Sequence, residues 1–127
     1  MATDIAGING PLGANLITIT SLTHASLDDI MSGATTVNLV EVDNTLNASE
    51  ACYVKLLNGN GSGAASAIVV GTDAPHHIFH LPQGVKRSFL LPEGMAFTKL
   101  NAWCVKEPGT AGTTPPTNAV KVEILVS

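Results

Sequence analysis

Residues 120–126 read VKVEILV and carry the clearest pattern in the chain. Every second residue, from Val120 to Val126, is β-branched and apolar, while Lys121 and Glu123 fall between them. Alternation with a period of two is typical of a β-strand that buries one face, and β-branched side chains favour extended backbone. The segment therefore predicts a strand with its valines and isoleucine in a core and its charges in solvent.

Further strands are predicted on the N-terminal side of this segment. Runs rich in apolar and β-branched residues recur there, with Gly, Pro and Asn between them. The predicted strands are residues 16–22, 35–42, 51–57, 87–91 and 100–106. Residues 24–31 are compatible with one helical turn capped by Ser26, which is too short to be a main element.

Strict alternation assigns the side chains of these strands to faces. In residues 35–42 it places Val37 and Val40 on opposite faces. In the predicted strand at residues 51–57, alternation places Cys52 on the buried face and Lys55 on the outward face.

Two related tetrapeptides predict turns. Residues 81–84 read LPQG, and residues 91–94 read LPEG. Proline at the second position fixes φ for a type I turn, and glycine at the fourth supplies a left-handed exit. Each motif is therefore predicted to end a strand, so that the two bracket residues 87–91 in a meander.

The pattern as a whole predicts an all-β fold. Seven or eight short strands with Gly/Pro turns between them are typical of a single-domain antiparallel β-sandwich or jelly-roll-like barrel. The length of 127 residues supports one core. Residues 1–13 contain Gly and Pro and show no periodicity, so we expect an extended N-terminal arm or loop there, followed by a single β domain over residues 14–127.

The composition indicates a protein that makes contacts. Charged residues are 13% of the chain, against roughly 25% in an ordinary soluble domain. The net charge of −4 and the scattered basic residues argue against nucleic-acid binding. No apolar run reaches the roughly 18 residues of a membrane span, and no basic, apolar leader begins the chain. We expect a soluble protein with no nucleic-acid or membrane partner.

The histidine-rich residues 75–80, PHHIFH, superficially resemble a metal-binding tract. On a strand, His76 and His80 would share a face but lie roughly 13 Å apart, at about 3.3 Å per residue. His77 would point to the other face. A metal site would need His24 or a symmetry-related copy, and the alternative is a set of surface histidines. We expect no metal and no cofactor.

Other candidate chemistry is weak. Cys52 and Cys104 allow one disulfide, but apolar strands more often hold buried free thiols. Residues 58–63 are Gly-rich but lack the Lys-Ser/Thr of a phosphate loop, and no nucleophile motif occurs. Trp103 and Tyr53 offer rings that stack on a sugar, although a lone Trp in an apolar strand is more often core. We expect no enzymatic activity.

Four motifs, in order, resemble a known family. They are ACYVKLLN at 51–58, VGTDAP at 70–75, LPQG at 81–84 and PEGMAF at 92–97. This order is similar to the strands and turns of small virion proteins of tailed phages, the capsid decoration or cement proteins. The signature is structural, so the resemblance transfers no catalytic residue.

The resemblance implies a role on the capsid exterior, after synthesis in the host cytoplasm. Such a protein bridges neighbouring major-capsid subunits, commonly as a homotrimer. An N-terminal arm would extend the contact, and the expected interaction residues are Thr3, Asp4, Ile5, Ile8, Asn9, Pro11 and Leu12. The alternative is a sugar- or receptor-binding module or a tail-fibre domain on a similar sandwich, because fold alone does not decide function.

Overall fold

The computed structural model describes residues 3–10 and 13–127. Eight β-strands lie in these residues. They are β1 (Thr3–Gly10), β2 (Gly13–Leu22), β3 (Thr35–Asp43), β4 (Cys52–Asn58), β5 (His77–Leu81), β6 (Lys86–Phe97), β7 (Leu100–Val105) and β8 (Val120–Val126). A larger sheet has the order β1-β2-β8-β3-β6, and a smaller sheet has the order β5-β4-β7. All pairs are antiparallel, which confirms the all-β sandwich.

The core lies between the two sheets. β8 is the central strand of the larger sheet, with β2 on one side and β3 on the other. Its alternate residues from Val120 to Val126 are all buried, as the alternation predicts. Burial of one such side chain contributes about 1.5–3 kcal/mol. This strand therefore holds the larger sheet against the smaller one.

β3 departs from strict alternation. Its register against β8 and β6 shifts between Val37 and Leu39, which is a β-bulge. An extra residue in one strand reverses the face of every residue after it. Val37 and Val40 are therefore both fully buried in the core, and the prediction that they lie on opposite faces is wrong.

The two tetrapeptides behave differently. Gly84 has φ +66° in the turn before β6, as predicted. Gly94 also has a left-handed φ, +74°, but β6 continues through it. Pairing of β6 with β3 stops after Leu90 and resumes at Met95, so that residues 91–94 form an excursion within the strand. The prediction that the second motif ends a strand is wrong, because β3 supplies partners on both sides of it.

The chain between β2 and β3 runs alongside β7 and pairs with it instead of forming a helical turn. The Leu27 N–H donates to the Ala102 carbonyl at 2.8 Å, and the Ala102 N–H donates back at 3.0 Å. The Ser26 hydroxyl donates to the Asp28 carboxylate at 2.7 Å and caps no helix. The predicted helical turn is wrong, because β7 satisfies backbone groups that a helix would have paired internally.

Loops of the chain itself cover the outer face of the smaller sheet. Trp103 and Leu57 are buried there with Ile68 from the β4–β5 connection. Lys55 lies on the same face and is fully buried, and its Nζ donates to the Gly109 carbonyl at 2.6 Å. The prediction that Trp103 is buried is confirmed. For Lys55 the predicted face is right, but the expected exposure is wrong because the β7–β8 connection closes over it.

Residues 3–10, which we expected in an arm outside any packed element, form the edge strand β1. It pairs with β2 from Thr3 opposite Ile19 to Gly7 opposite Asn15. Glycine hides the alternation in this stretch, whereas the backbone of β2 offers a row of hydrogen-bond partners. The expectation of an unpaired arm is therefore corrected for these residues.

Candidate protein interface

Apolar side chains form a row across the outer face of the larger sheet. The strand registers place Ala6 beside Leu16, Leu16 beside Leu125, Leu125 beside Leu39, and Leu39 beside Leu90. At about 4.8 Å between strands, the row is roughly 19 Å long. We call these five residues the leucine row. It crosses every strand of the larger sheet.

The leucine row is open to solvent. Leu90 is 55% exposed, and the other three leucines are partly exposed. Beside Leu90, the excursion at residues 91–94 borders a shallow cavity of about 400 Å³. Contiguous apolar side chains on the solvent face of a protein mark sites of interaction. This face is therefore the candidate protein interface.

A charged band borders the leucine row on the same face. Its members are Glu41, Asp43, Lys86, Lys121 and Glu123. Lys86 Nζ lies 3.3 Å from Glu41 Oε1. The Thr45 hydroxyl and backbone N–H donate to Asp43 and hold the pKa of its carboxyl below the usual value, and nearby lysines act in the same direction. The row thus has a polar, ionised rim, as protein interfaces commonly do.

The structure describes part of the predicted interaction set. Thr3, Asp4 and Ile5 are exposed on β1. Ile8 and Asn9 lie on the same strand, where we describe the backbone alone, and Pro11 and Leu12 lie outside the described residues. Asp4 lies on the same face of β1 as Ala6 and so adjoins the leucine row, whereas Thr3 and Ile5 lie on the inner face, opposite Ile19 and Ile17.

Sequence reasoning missed the leucine row itself. One signal was present, because Leu125 falls on the same face of its strand as Lys121 and Glu123. The other members are visible only after four strand registers are known. The bulge in β3 also moves Leu39 to the solvent face, against strict alternation.

The histidine tract does not gather at one point. The His76 Nδ1 accepts a backbone N–H from the end of β4 at 3.0 Å. The His77 ring meets Phe97 edge-on at 5.8 Å, and His80 stacks on Tyr53 at 5.0 Å. Burial, followed by the charge of His76, lowers the pKa of His77. Within the described part of the chain, no group of three or more His, Cys, Asp or Glu side chains is arranged to hold a metal ion.

The two cysteines are buried free thiols, as the sequence predicts. Cys52 on β4 and Cys104 on β7 are both fully buried on neighbouring strands. The contact with Cys52, and then burial, raise the pKa of the Cys104 thiol. Both side chains belong to the hydrophobic core between the sheets and contribute to its packing.

Comparisons with protein-family models, with curated proteins and with solved structures find no match to this chain. The described residues contain no helix with the length and hydrophobicity that a membrane span requires.

Proposed function

We propose that this protein is a structural component of a phage virion. It decorates the capsid exterior and bridges neighbouring major-capsid subunits, and it works as a binding protein, not as an enzyme. The larger sheet supplies the contact surface. Synthesis takes place in the host cytoplasm, and several copies, as a homotrimer, act together on the shell.

The observation that carries this proposal is the leucine row with its charged band. Five apolar positions lie side by side on the larger sheet, and Leu90 at one end is 55% exposed. A sheet holds these side chains at fixed spacing, so little conformational freedom is lost when a partner covers them. A preformed, rigid apolar surface suits a protein whose role is to hold others in place.

The size of this face suggests that further contacts contribute. A row of about 19 Å on strands of about 23 Å gives roughly 440 Å², whereas a standard interface buries about 800 Å² on each partner. Asp4, which is exposed on β1 and lies on the same face as Ala6, continues this surface at the edge of the sheet and enlarges the contact. Repetition by symmetry then multiplies a modest affinity.

The resemblance of the four strand and turn motifs to decoration proteins supports the same role. Those motifs lie in β4, the β4–β5 connection, the turn before β6 and β6 itself. They build the sandwich that displays the leucine row. Resemblance and surface therefore point to one function by separate routes.

Binding to empty expanded shells of the cognate phage tests the proposal. The paired variants are Leu90→Glu, in the leucine row, and Leu46→Glu, at a still more exposed leucine in the β3–β4 connection. We expect the wild type and Leu46→Glu to occupy the shells in stoichiometric amounts. Leu90→Glu should bind about tenfold more weakly or worse, because association would bury a charge without a partner.

Two results would contradict the proposal in different ways. Failure of the wild-type protein to bind any shell overturns the decoration role. Equal occupancy by wild type and Leu90→Glu overturns the leucine row as the contact surface. Circular dichroism of each variant confirms that the sandwich remains folded.

A sugar-binding role is the second candidate. A cleft of about 420 Å³ at one end of the sandwich is lined in part by Thr35, Thr36, Thr98 and Asn58, whose neutral polar groups suit a carbohydrate. The aromatic residues weigh against it, since Trp103 is buried. Glycan binding without shell binding would favour this role over decoration.

A further inference from the structure

The four sheet edges differ in how they are protected. The segment between β2 and β3 runs alongside β7 and pairs with Ala102 through two backbone hydrogen bonds. β6 begins with Lys86 and Arg87 and contains the excursion with Pro92. β5 has five residues, and the Arg87 guanidinium donates to the carbonyl of His80 at 3.4 Å. Coverage, charge, proline and short length are the usual devices that stop edge-to-edge pairing.

The regular part of β1 is as short as β5, but it contains no proline and no basic residue, and no described segment pairs with its outer edge. Residues 3–7 read TDIAG, pair with β2 without interruption, and include one charged residue, Asp4. The register changes only after Gly7. A regular edge with so little charge presents backbone N–H and carbonyl groups that another strand can pair with.

The inner face of β1 is also uncovered. Ile5 pairs with Ile17, Ile17 with Ile124, and Ile124 with Val40. The last three are fully buried under the smaller sheet, whereas Ile5 is 44% exposed. The cover that buries these three residues therefore does not extend to Ile5 on β1. The apolar inner row therefore ends in an isoleucine that has no cover within the described chain.

We propose that β1 pairs with β1 of a second copy of this chain, antiparallel and centred on Ile5. This register places the two Ile5 side chains beside each other and continues the inner apolar row across the contact. Asp4 then faces Ala6 of the other copy, and Thr3 faces Gly7. The two Asp4 carboxylates are therefore not directly opposed. A second copy can pair with the backbone N–H and carbonyl groups of this edge without placing like charges opposite each other.

The contact is two-fold and separate from the shell contact. It doubles whatever unit the rest of the surface assembles, because a two-fold interface joins identical patches. A pairing of about five residues on each strand falls below a standard interface of about 1,600 Å². We expect the doubling to depend on concentration.

Sedimentation velocity over a concentration series tests this pairing. Ile5→Lys places a charge at the centre of the contact, and Ile78→Lys makes the same change at a 46% exposed isoleucine on the edge strand β5. We expect the molar mass of the wild type and of Ile78→Lys to double as concentration rises. Ile5→Lys should need about tenfold higher concentration or more. A wild type that never doubles, or a doubled species that Ile5→Lys leaves intact, overturns the proposal.

Disulfide trapping tests the register. Opposed Cβ atoms in an antiparallel pair lie about 4.5–5.5 Å apart, so thiols introduced by Ile5→Cys should cross-link two copies when oxidised glutathione accepts their two electrons. Asp4→Cys is the control, since its thiol would face Ala6. The native thiols are buried and should not compete. Equal cross-linking of both variants overturns the Ile5-centred register. Shell binding is probed at Leu90, on another strand, so the two proposals fail independently.

Discussion

The two sheets of this sandwich treat their outer faces in opposite ways. On the smaller sheet, Trp103 and Lys55 point away from the main core and are nevertheless buried, under the chain's own connections. On the larger sheet, Leu39 and Leu90 also point outward and remain open to solvent. Both outer faces thus carry side chains that point away from the main core. The two faces differ in whether other segments of the chain cover those side chains.

The outer face of the smaller sheet is covered because the two long connections of the chain start from its strands. Residues 59–76 link β4 to β5, and residues 106–119 link β7 to β8. Both begin on the smaller sheet, and they lie over its outer face, where they bury Trp103 and bond to Lys55. Among residues 3–10 and 13–127, no comparable layer lies over the leucine row of the larger sheet. The comparison indicates that one face is completed within the chain and the other by a partner.

The largest expected effect comes from removing an aromatic ring from the covered face. Trp103→Ala should lower the free energy of unfolding by about 3–5 kcal/mol, because the ring is 1% exposed and its loss leaves a cavity. Leu90→Ala on the open face should cost less than about 1 kcal/mol. Urea unfolding followed by circular dichroism measures both. Similar losses for the two variants would mean that the faces are equally buried.

A smaller effect is expected from the amide side chains of the two faces. Asn101 is buried, donates to the carbonyls of Leu57 and Gly59 at 2.9 Å, and accepts the Asp29 N–H at 2.7 Å. Asn101→Ala should cost about 1–3 kcal/mol, because these groups lose their partner where water is excluded. Asn38→Ala, which loses one exposed bond on the open face, should cost less than about 0.5 kcal/mol. The same unfolding measurement distinguishes them, and a costlier Asn38→Ala would contradict the assignment.

The smallest effect is a pH dependence. Burial lowers the pKa of Lys55 below its model-compound value of 10.5. The unfolded chain therefore binds more protons than the folded chain between the two pKa values, so the stability of the protein relative to Lys55→Met should rise with pH through that window. Urea unfolding from neutral pH to pH 10.5 tests this, and a flat or falling difference for Lys55→Met would contradict it.

Sequence patterns predicted the strands well where the hydrophobic period was regular. β8 matches residues 120–126 at both ends, and the strand at 100–106 corresponds to β7. The sequence patterns failed where hydrogen bonding to a neighbouring strand overrode the local sequence signal. Residues 91–94 carry a turn motif inside β6, and residues 3–10 carry glycines inside β1. In both places another strand supplies backbone partners that local sequence cannot reveal.

The candidate interface was predicted in part. The sequence directed attention to Thr3, Asp4 and Ile5, which the structure places on an exposed edge strand. It did not reveal the leucine row, whose members come from five strands far apart in the chain. Only the registers, including the bulge before Leu39, align them.

The sequence by itself determined that this protein has an all-β fold, because alternation with a period of two states which side chains share a face; the two-sheet sandwich, one of the two architectures it left open, is seen in the structure. It also determined the low charge of the surface and the buried state of both thiols. Only the tertiary structure decided what happens to the side chains that point outward. Lys55 and Leu90 both point away from the main core, yet one is buried and the other is 55% exposed. The physical reason is that the two-residue period fixes the face to which a side chain points. Whether that side chain is buried depends on which distant segment of the chain packs over that face.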